Sequence, residues 1–294
     1  MTFSPFDSAI YSKIYGDTEV RALFTDSAEV RAMLLVEGTL AKVQGELGII
    51  PLDSALYIHR ASMEVQVDPA GLAAGMIESG NPVSALVTAF AKAMEAPEHS
   101  KYIHWGINAQ NITDTALVLR LRQYLSLIRK RLEILCNTLA DEITQSLLLD
   151  HLDQMDDIQN RLRIVQFTGG SDNVELGNEK PPVVAALAEV LRLSNSISPS
   201  SDLRKHIALM VKFISQVAQT LEKIGQAETN TIHREVLTAM AKFTAHQANQ
   251  LDFALDKDAN HSTVDLALER LTLGQVCIAV GVSTKHALLL AENV

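Results

Sequence analysis

From residue 107 to residue 168 the chain contains neither glycine nor proline. Nothing there forces a helix to stop, so helices in that interval can be long. Leu117, Leu121, Leu125, Ile128, Leu132, Leu135, Leu139, Ile143 and Leu147 recur at steps of three and four residues, the spacing of one helix face. The stripe predicts a single helix of roughly 50 Å at 1.5 Å per residue. The aspartate-rich segment 151–157 predicts a turn before a second helix ending near Gln166. A lone His-x-Asp there reads as a solvated turn rather than a metal site.

A second pattern is stricter. Leu203, Ile207, Met210, Ile214, Val217, Leu221 and Ile224 keep a 4-3 rhythm, the seam of a helical bundle or an oligomer. Ser200 and Ser201 offer caps for this helix. Two further helices are predicted over 231–255 and 262–292, with Gly274 and Gly281 as points of bending or close approach. Alternating β-branched runs are absent, so the expected class is all-α.

Upstream, over 1–97, the helices are short and punctuated by Gly16, Gly48, Pro51, Pro69, Gly80 and Pro82. The clearest runs over 27–47, with Met33, Val36, Leu40, Val43 and Leu47 on one stripe and Gly48 at its end. Shorter ones are predicted over 53–62, 70–79 and 83–95, and later over 183–193. The expected organisation is a short helical cap over 1–105 and a long-helix bundle, serving oligomerisation, over 106–294.

Composition narrows the function classes. The chain has 294 residues, 47% hydrophobic and 20% charged, enough to bury a substantial core. Its net charge of −10, with no basic cluster, argues against a nucleic-acid partner. Cys136 and Cys277 both fall in apolar helical patterns, which predicts plain core roles and a reducing compartment. No basic segment leads into an apolar run at the N-terminus, and no uninterrupted apolar stretch reaches membrane-spanning length. The expectation is a cytoplasmic protein with no membrane partner. The loop 168–182 resembles a calcium loop only loosely, because regular ligand spacing is missing; no metal and no cofactor are expected.

The candidate site is HWGINAQNITDTA, residues 104–116. Gly106 permits unusual backbone angles, and Asn108, Asn111 and Thr113 can accept from the free N–H groups of the helix it opens. A helix start of this kind favours anions. His104, Asn108, Gln110 and Asn111 are the candidate ligands of a substrate carboxylate. The plainer alternative is that these residues only cap a helix.

Several segments together resemble the fumarase/aspartase superfamily, and within it the 3-carboxy-cis,cis-muconate cycloisomerases. SPFDSAIYSKIYGD and EVRALFTDSAEVRAMLLVEGTLAKVQGELGIIP match the family's opening. GNPVSALV and YIHWGINAQNITDTALVLRLR match its first active-site region, RIVQFTGG its mid-bundle turn, and LERLTLGQVCIAVGVSTKHALLLAEN its last bundle helix. The resemblance implies an N-terminal cap, a five-helix up-down bundle and a homotetramer with shared active sites. It implies proton transfer next to a carboxylate through an enediolate-like intermediate, which in the cycloisomerases gives a carboxymuconolactone.

The departures follow the same family pattern. His104, Gly106 and Gln110 are kept, but Asn108, Ala109 and Asn111 stand where the family has threonine, serine and aspartate. No histidine motif follows Gln145, His151 lying in a different context. No serine-rich loop follows Gln226, and Asn230 is the one remnant of that motif. The chain ends at Val294, where the family continues into a small third domain. All the missing pieces fall at one end of the implied bundle. The expected function is therefore a non-catalytic oligomeric scaffold or carboxylate-binding protein, pairing with itself or with a full-length relative. The alternative is an active cycloisomerase or lyase on a small polycarboxylate, with Ser171, Thr229 and Ser262 as the hydroxyls available in place of the missing base.

Overall fold

The computed structural model describes residues 4–167, 176–195, 200–226, 231–251 and 263–292. Among them there is no strand; one isolated bridge joins Ile164 and Ser194. The chain packs as two compact units, Met1–Phe24 with Arg122–Leu162 and Ser201–Val294, and Thr25–Leu121 with Arg163–Ser200. The expected boundary at 105/106 falls inside the second of these.

The second unit holds α3 (Asp26–Glu46), α4 (Leu52–Glu64), α5 (Ala73–Ser79), α6 (Val83–Met94), α7 (Pro97–Ser100), the start of α8 (Ala109–Thr138) and α10 (Lys180–Leu191). Helix α3 begins as its sequence requires, with Thr25 accepting from the N–H of Ala28 at 3.2 Å, and it is followed by Gly48 at φ +75°. Met33, Val36, Leu40 and Val43 on α3 are buried with Ile58 of α4, Leu86 and Phe90 of α6, and Val183 and Leu187 of α10. Each such side chain contributes on the order of 1.5–3 kcal/mol by leaving water. Helix α10 packs on α3, so the segment around it returns to the cap.

The first unit holds α1 (Ser12–Tyr15), α2 (Thr18–Ala22), the rest of α8, α9 (Glu142–Leu162), α11 (Ser200–Gln226), α12 (Thr231–Leu251) and α13 (Thr263–Ala291). Leu203, Ile207, Met210, Ile214, Val217, Leu221 and Ile224 are all buried within the chain itself, so the heptad seam is satisfied by intrachain packing. Gly281 is a point of close approach: a Cβ there would lie 2.7 Å from Cγ2 of Val20 and 2.8 Å from Oδ2 of Asp17. Gly274 is not, with Phe24 at ordinary contact distance.

Two expectations need correction. The stripe from Leu117 to Leu147 is two helices, because Asp141 accepts from the N–H of Thr144 at 2.9 Å and starts α9 afresh. Segment 151–157 is not a turn but lies inside α9, where His151, Leu152 and Met155 are buried and Asp156 and Asp157 pair with Arg129 and Arg161. Residues Val264–Ala291 are long and apolar enough by composition to cross a membrane, with mean hydropathy 1.4, but Asp265, Glu269, Arg270 and Lys285 interrupt the stretch. Its most apolar part is 72% buried inside the protein, the placement of a core helix. Cys136 and Cys277 are free and buried, as expected.

Candidate functional site

Helix α3 buries three polar residues: Thr39, whose hydroxyl donates back to the carbonyl of Leu35, and the longer Glu37 and Gln44. Glu37 and Gln44 are seven positions apart, about two turns. Both reach the turn that precedes α8. Glu37 Oε1 accepts from Nδ1 of His104 at 2.7 Å, and the amide of Gln44 donates to the carbonyl of Trp105 at 2.7 Å. With a carboxylate as acceptor, Nδ1 holds the proton and Nε2 is the nitrogen left for other partners.

These two anchors hold a turn with unusual backbone angles. His104 sits at φ +60° and Gly106 at φ +67°. Left-handed backbone costs a residue with a Cβ about 1–2 kcal/mol, and the bonds from α3 help to offset that at His104. At Gly106 a side chain would also meet Leu176, whose Cγ lies 2.7 Å from an added Cβ.

Beyond the turn, the candidate ligands are drawn into the protein's own bonding. Asn108 caps α8 as expected, its Oδ1 accepting from the N–H of Asn111 at 2.9 Å. Gln110 donates to Asp114 Oδ1 at 2.7 Å. Asn111 is 1% exposed. Thr113 does not cap; its hydroxyl donates back to the carbonyl of Gln110 at 3.0 Å. The structure thus joins His104 to Glu37, Asn108 to Asn111 and Gln110 to Asp114.

Burial pushes the His104 imidazole down, but the hydrogen bond and negative charge of Glu37 outweigh it, and the net shift is upward from 6.5. A group with a raised folded value stabilises fully below its unfolded pKa. That contribution fades as pH rises through the folded value. Glu37→Leu removes both upward causes and leaves burial. We expect the His104 titration, followed by its ring proton shift, to move from above 6.5 to below it. An unchanged titration would show that Glu37 does not govern this ring.

Other sequence candidates lie elsewhere. His151 is 9% exposed, donates to or accepts from the hydroxyl of Thr220 at 2.9 Å, and sits edge-on to Phe213. It is a packed histidine inside its unit, not a solvated one. Ser171, Thr229, Asn230 and Ser262 lie outside the described residues. An open groove in the same unit as His151 is lined by Gln226, Arg234, Glu235, Thr238, Ala239 and Lys242, and none of the four candidate ligands borders it. Glu37 and Gln44 were missed by the sequence reading. Their signal was a pair of polar residues, seven apart, set into an apolar helix stripe.

No family profile matches the chain. It is 28% identical over 238 residues to the 3-carboxy-cis,cis-muconate cycloisomerase of Pseudomonas aeruginosa, covering 70% of this chain and 52% of that protein. The crystal structure of the 3-carboxy-cis,cis-muconate lactonizing enzyme from Pseudomonas putida superposes with a TM-score of 0.89 at 24% identity, over 97% of this chain and 76% of that one. A fumarate lyase from Mesorhizobium gives a TM-score of 0.87 at 24% identity, over 96% and 76%. The fold is that of the fumarate lyases. The chain's homologues are fumarate lyase family members as well, and the similarity supports a lyase-family protein. The chain spans about half the length of the curated cycloisomerase relatives it matches.

Proposed function

We propose that this chain is a lyase-fold protein that binds a small carboxylate at the His104 turn without turning it over, and that it works as an oligomer, with itself or with a longer relative. The observation that supports this reading is the bonding at the turn. Asn108 and Gln110 are engaged by the protein's own groups, which leaves Nε2 of His104, a donor once the ring is protonated, oriented for a ligand. One charged donor beside a helix start can hold a carboxylate. Moving a proton off a carbon asks for a second, separate base. Glu37 is committed to the ring it orients.

A specific observation also favours an active cycloisomerase. The upward shift of His104 suits it to act as an acid. In ring closure a substrate carboxylate oxygen bonds to the alkene carbon, and the alkene electron pair moves into the conjugated carboxylate as an enediolate. That intermediate takes one proton, which an imidazolium could give.

The deciding experiment follows loss of 3-carboxy-cis,cis-muconate absorbance with purified protein, alongside thermal shift by the same compound and light scattering. The expected result is an oligomer that binds without turnover, with binding lost in His104→Ala. Turnover that disappears in His104→Ala would replace this reading with the active one. A monomer at micromolar concentration would remove the oligomeric part.

A further inference from the structure

The single helical turn α1 buries no side chain. Its attachment therefore relies on main-chain oxygens. The carbonyl of Ile14 accepts from Nε2 of His286 at 2.8 Å. The ammonium of Lys285 lies 3.4 Å and 3.5 Å from the carbonyls of Lys13 and Gly16. On the other side of the His286 ring, Nδ1 meets Nδ1 of His233, in the first turn of α12, at 2.7 Å. His286 is 3% exposed.

The protons at this junction can be counted. A carbonyl only accepts, so Nε2 of His286 carries a hydrogen. Two nitrogens at 2.7 Å need one hydrogen between them, so with His286 neutral, Nδ1 of His233 is the donor. One further proton fits without change, on Nε2 of His233. A second does not: it would set N–H against N–H and place two positive rings in contact.

The surroundings offer no relief. From α12 the facing group is His233, on α13 Lys285 adds another positive charge, and α1 presents only carbonyls. Asp17 and Glu19, the acids that follow α1, are engaged by Arg131. No carboxylate among the described residues pairs with either ring. Burial, with the charges of His233 and Lys285, holds the His286 imidazole below 6.5 against the upward pull of the Ile14 bond. A depressed histidine stabilises the fold above its unfolded pKa and loses that contribution as pH falls.

We propose that His233 and His286 form an acid-sensitive clasp, which fastens the first turn of α12 and the Ser12–Tyr15 turn to α13 while one proton is shared between the rings and opens when both rings are charged. The test is amide hydrogen exchange on the full chain at about pH 7.5 and about pH 5, either side of the ordinary imidazole value. After correction for intrinsic rates, protection at residues 14–16 and 233–236 is expected to fall about tenfold in acid relative to α3. His233→Gln keeps an N–H donor for His286 but removes one titrating ring, so its protection should change less than about twofold. Equal protection at both pH values in the wild type would overturn the clasp, and so would an acid response in His233→Gln as large as the wild type's. Imidazole nitrogen shifts of the wild type give a reading without a variant. His286 is expected to stay neutral until protection falls, and a His286 that charges while protection persists overturns the proposal.

Discussion

Arg131→Met is expected to lower the free energy of unfolding by about 3–5 kcal/mol, read as a lower urea midpoint with an unchanged slope. The Asp17 side chain is 2% exposed. Its carboxylate already caps α2 by accepting from the N–H of Val20 at 3.1 Å, and Arg131 bonds both of its oxygens. The same guanidinium reaches Glu19 at 2.6 Å, and the carbonyl of Gly281 and the hydroxyl of Thr284 at 3.3 Å each. Glu19 is 69% exposed, so its share is at most about 1 kcal/mol. The large loss comes from leaving the Asp17 charge buried alone. Adding Asp17→Asn to the variant should therefore restore part of it, because asparagine still caps the helix and carries no charge. A single-variant loss below about 1 kcal/mol would mean that water reaches Asp17 once the arginine is gone.

The second large effect is expected at the turn before α8. Gly106→Ala meets two separate costs. The backbone at φ +67° is disfavoured by about 1–2 kcal/mol for a residue with a Cβ. The new methyl also meets Cγ and Cδ2 of Leu176 at 2.7 Å and 2.8 Å, and overpacking of this kind costs about 1–3 kcal/mol. The sum, about 2–5 kcal/mol, should appear in chemical unfolding. The double variant with Leu176→Ala separates the costs: coupling between the positions reports the clash, and what remains reports the backbone. Destabilisation below about 1 kcal/mol would show that the turn relaxes freely, and would undercut its role as a rigid mount for His104.

Much of the fold was legible because local signals agreed with tertiary packing. Gly48 marks the end of α3 in both sequence and structure, while the start expected at residue 27 lies at Asp26, behind the Thr25 cap. The heptad from Leu203 to Ile224 named a buried face correctly, but a period cannot say whether the covering partner is the same chain or another. The break at residues 139–141 was missed because leucine spacing runs across it. The decisive signal was polar, an aspartate placed to cap Thr144. Segment 151–157 misled through its composition, since helix α9 keeps its acids on the side where Arg129 and Arg161 meet them.

The candidate site was legible only in part. The turn, its glycine and the Asn108 cap follow from local chemistry. Glu37 did not, because it acts across 67 residues of sequence, and a glutamate between Val36 and Gly38 looks like an irregularity in an apolar stripe. Only the packing of α3 beneath the turn shows it to be the group that fixes the His104 proton.

The contact between Ile14 and His286 spans 272 residues of chain. On a ribosome adding roughly 5–20 residues per second, the carbonyl of Ile14 waits about 15–55 s before its histidine exists. Asp17 waits for Arg131 and then for the glycine that lets α13 pass. During synthesis the Ser12–Tyr15 turn therefore stays undocked, and its docking belongs to the last stage of assembly, where closing so long a loop is slow. Substitutions at His286 or Gly281 should accordingly speed unfolding more than they slow the early steps of folding.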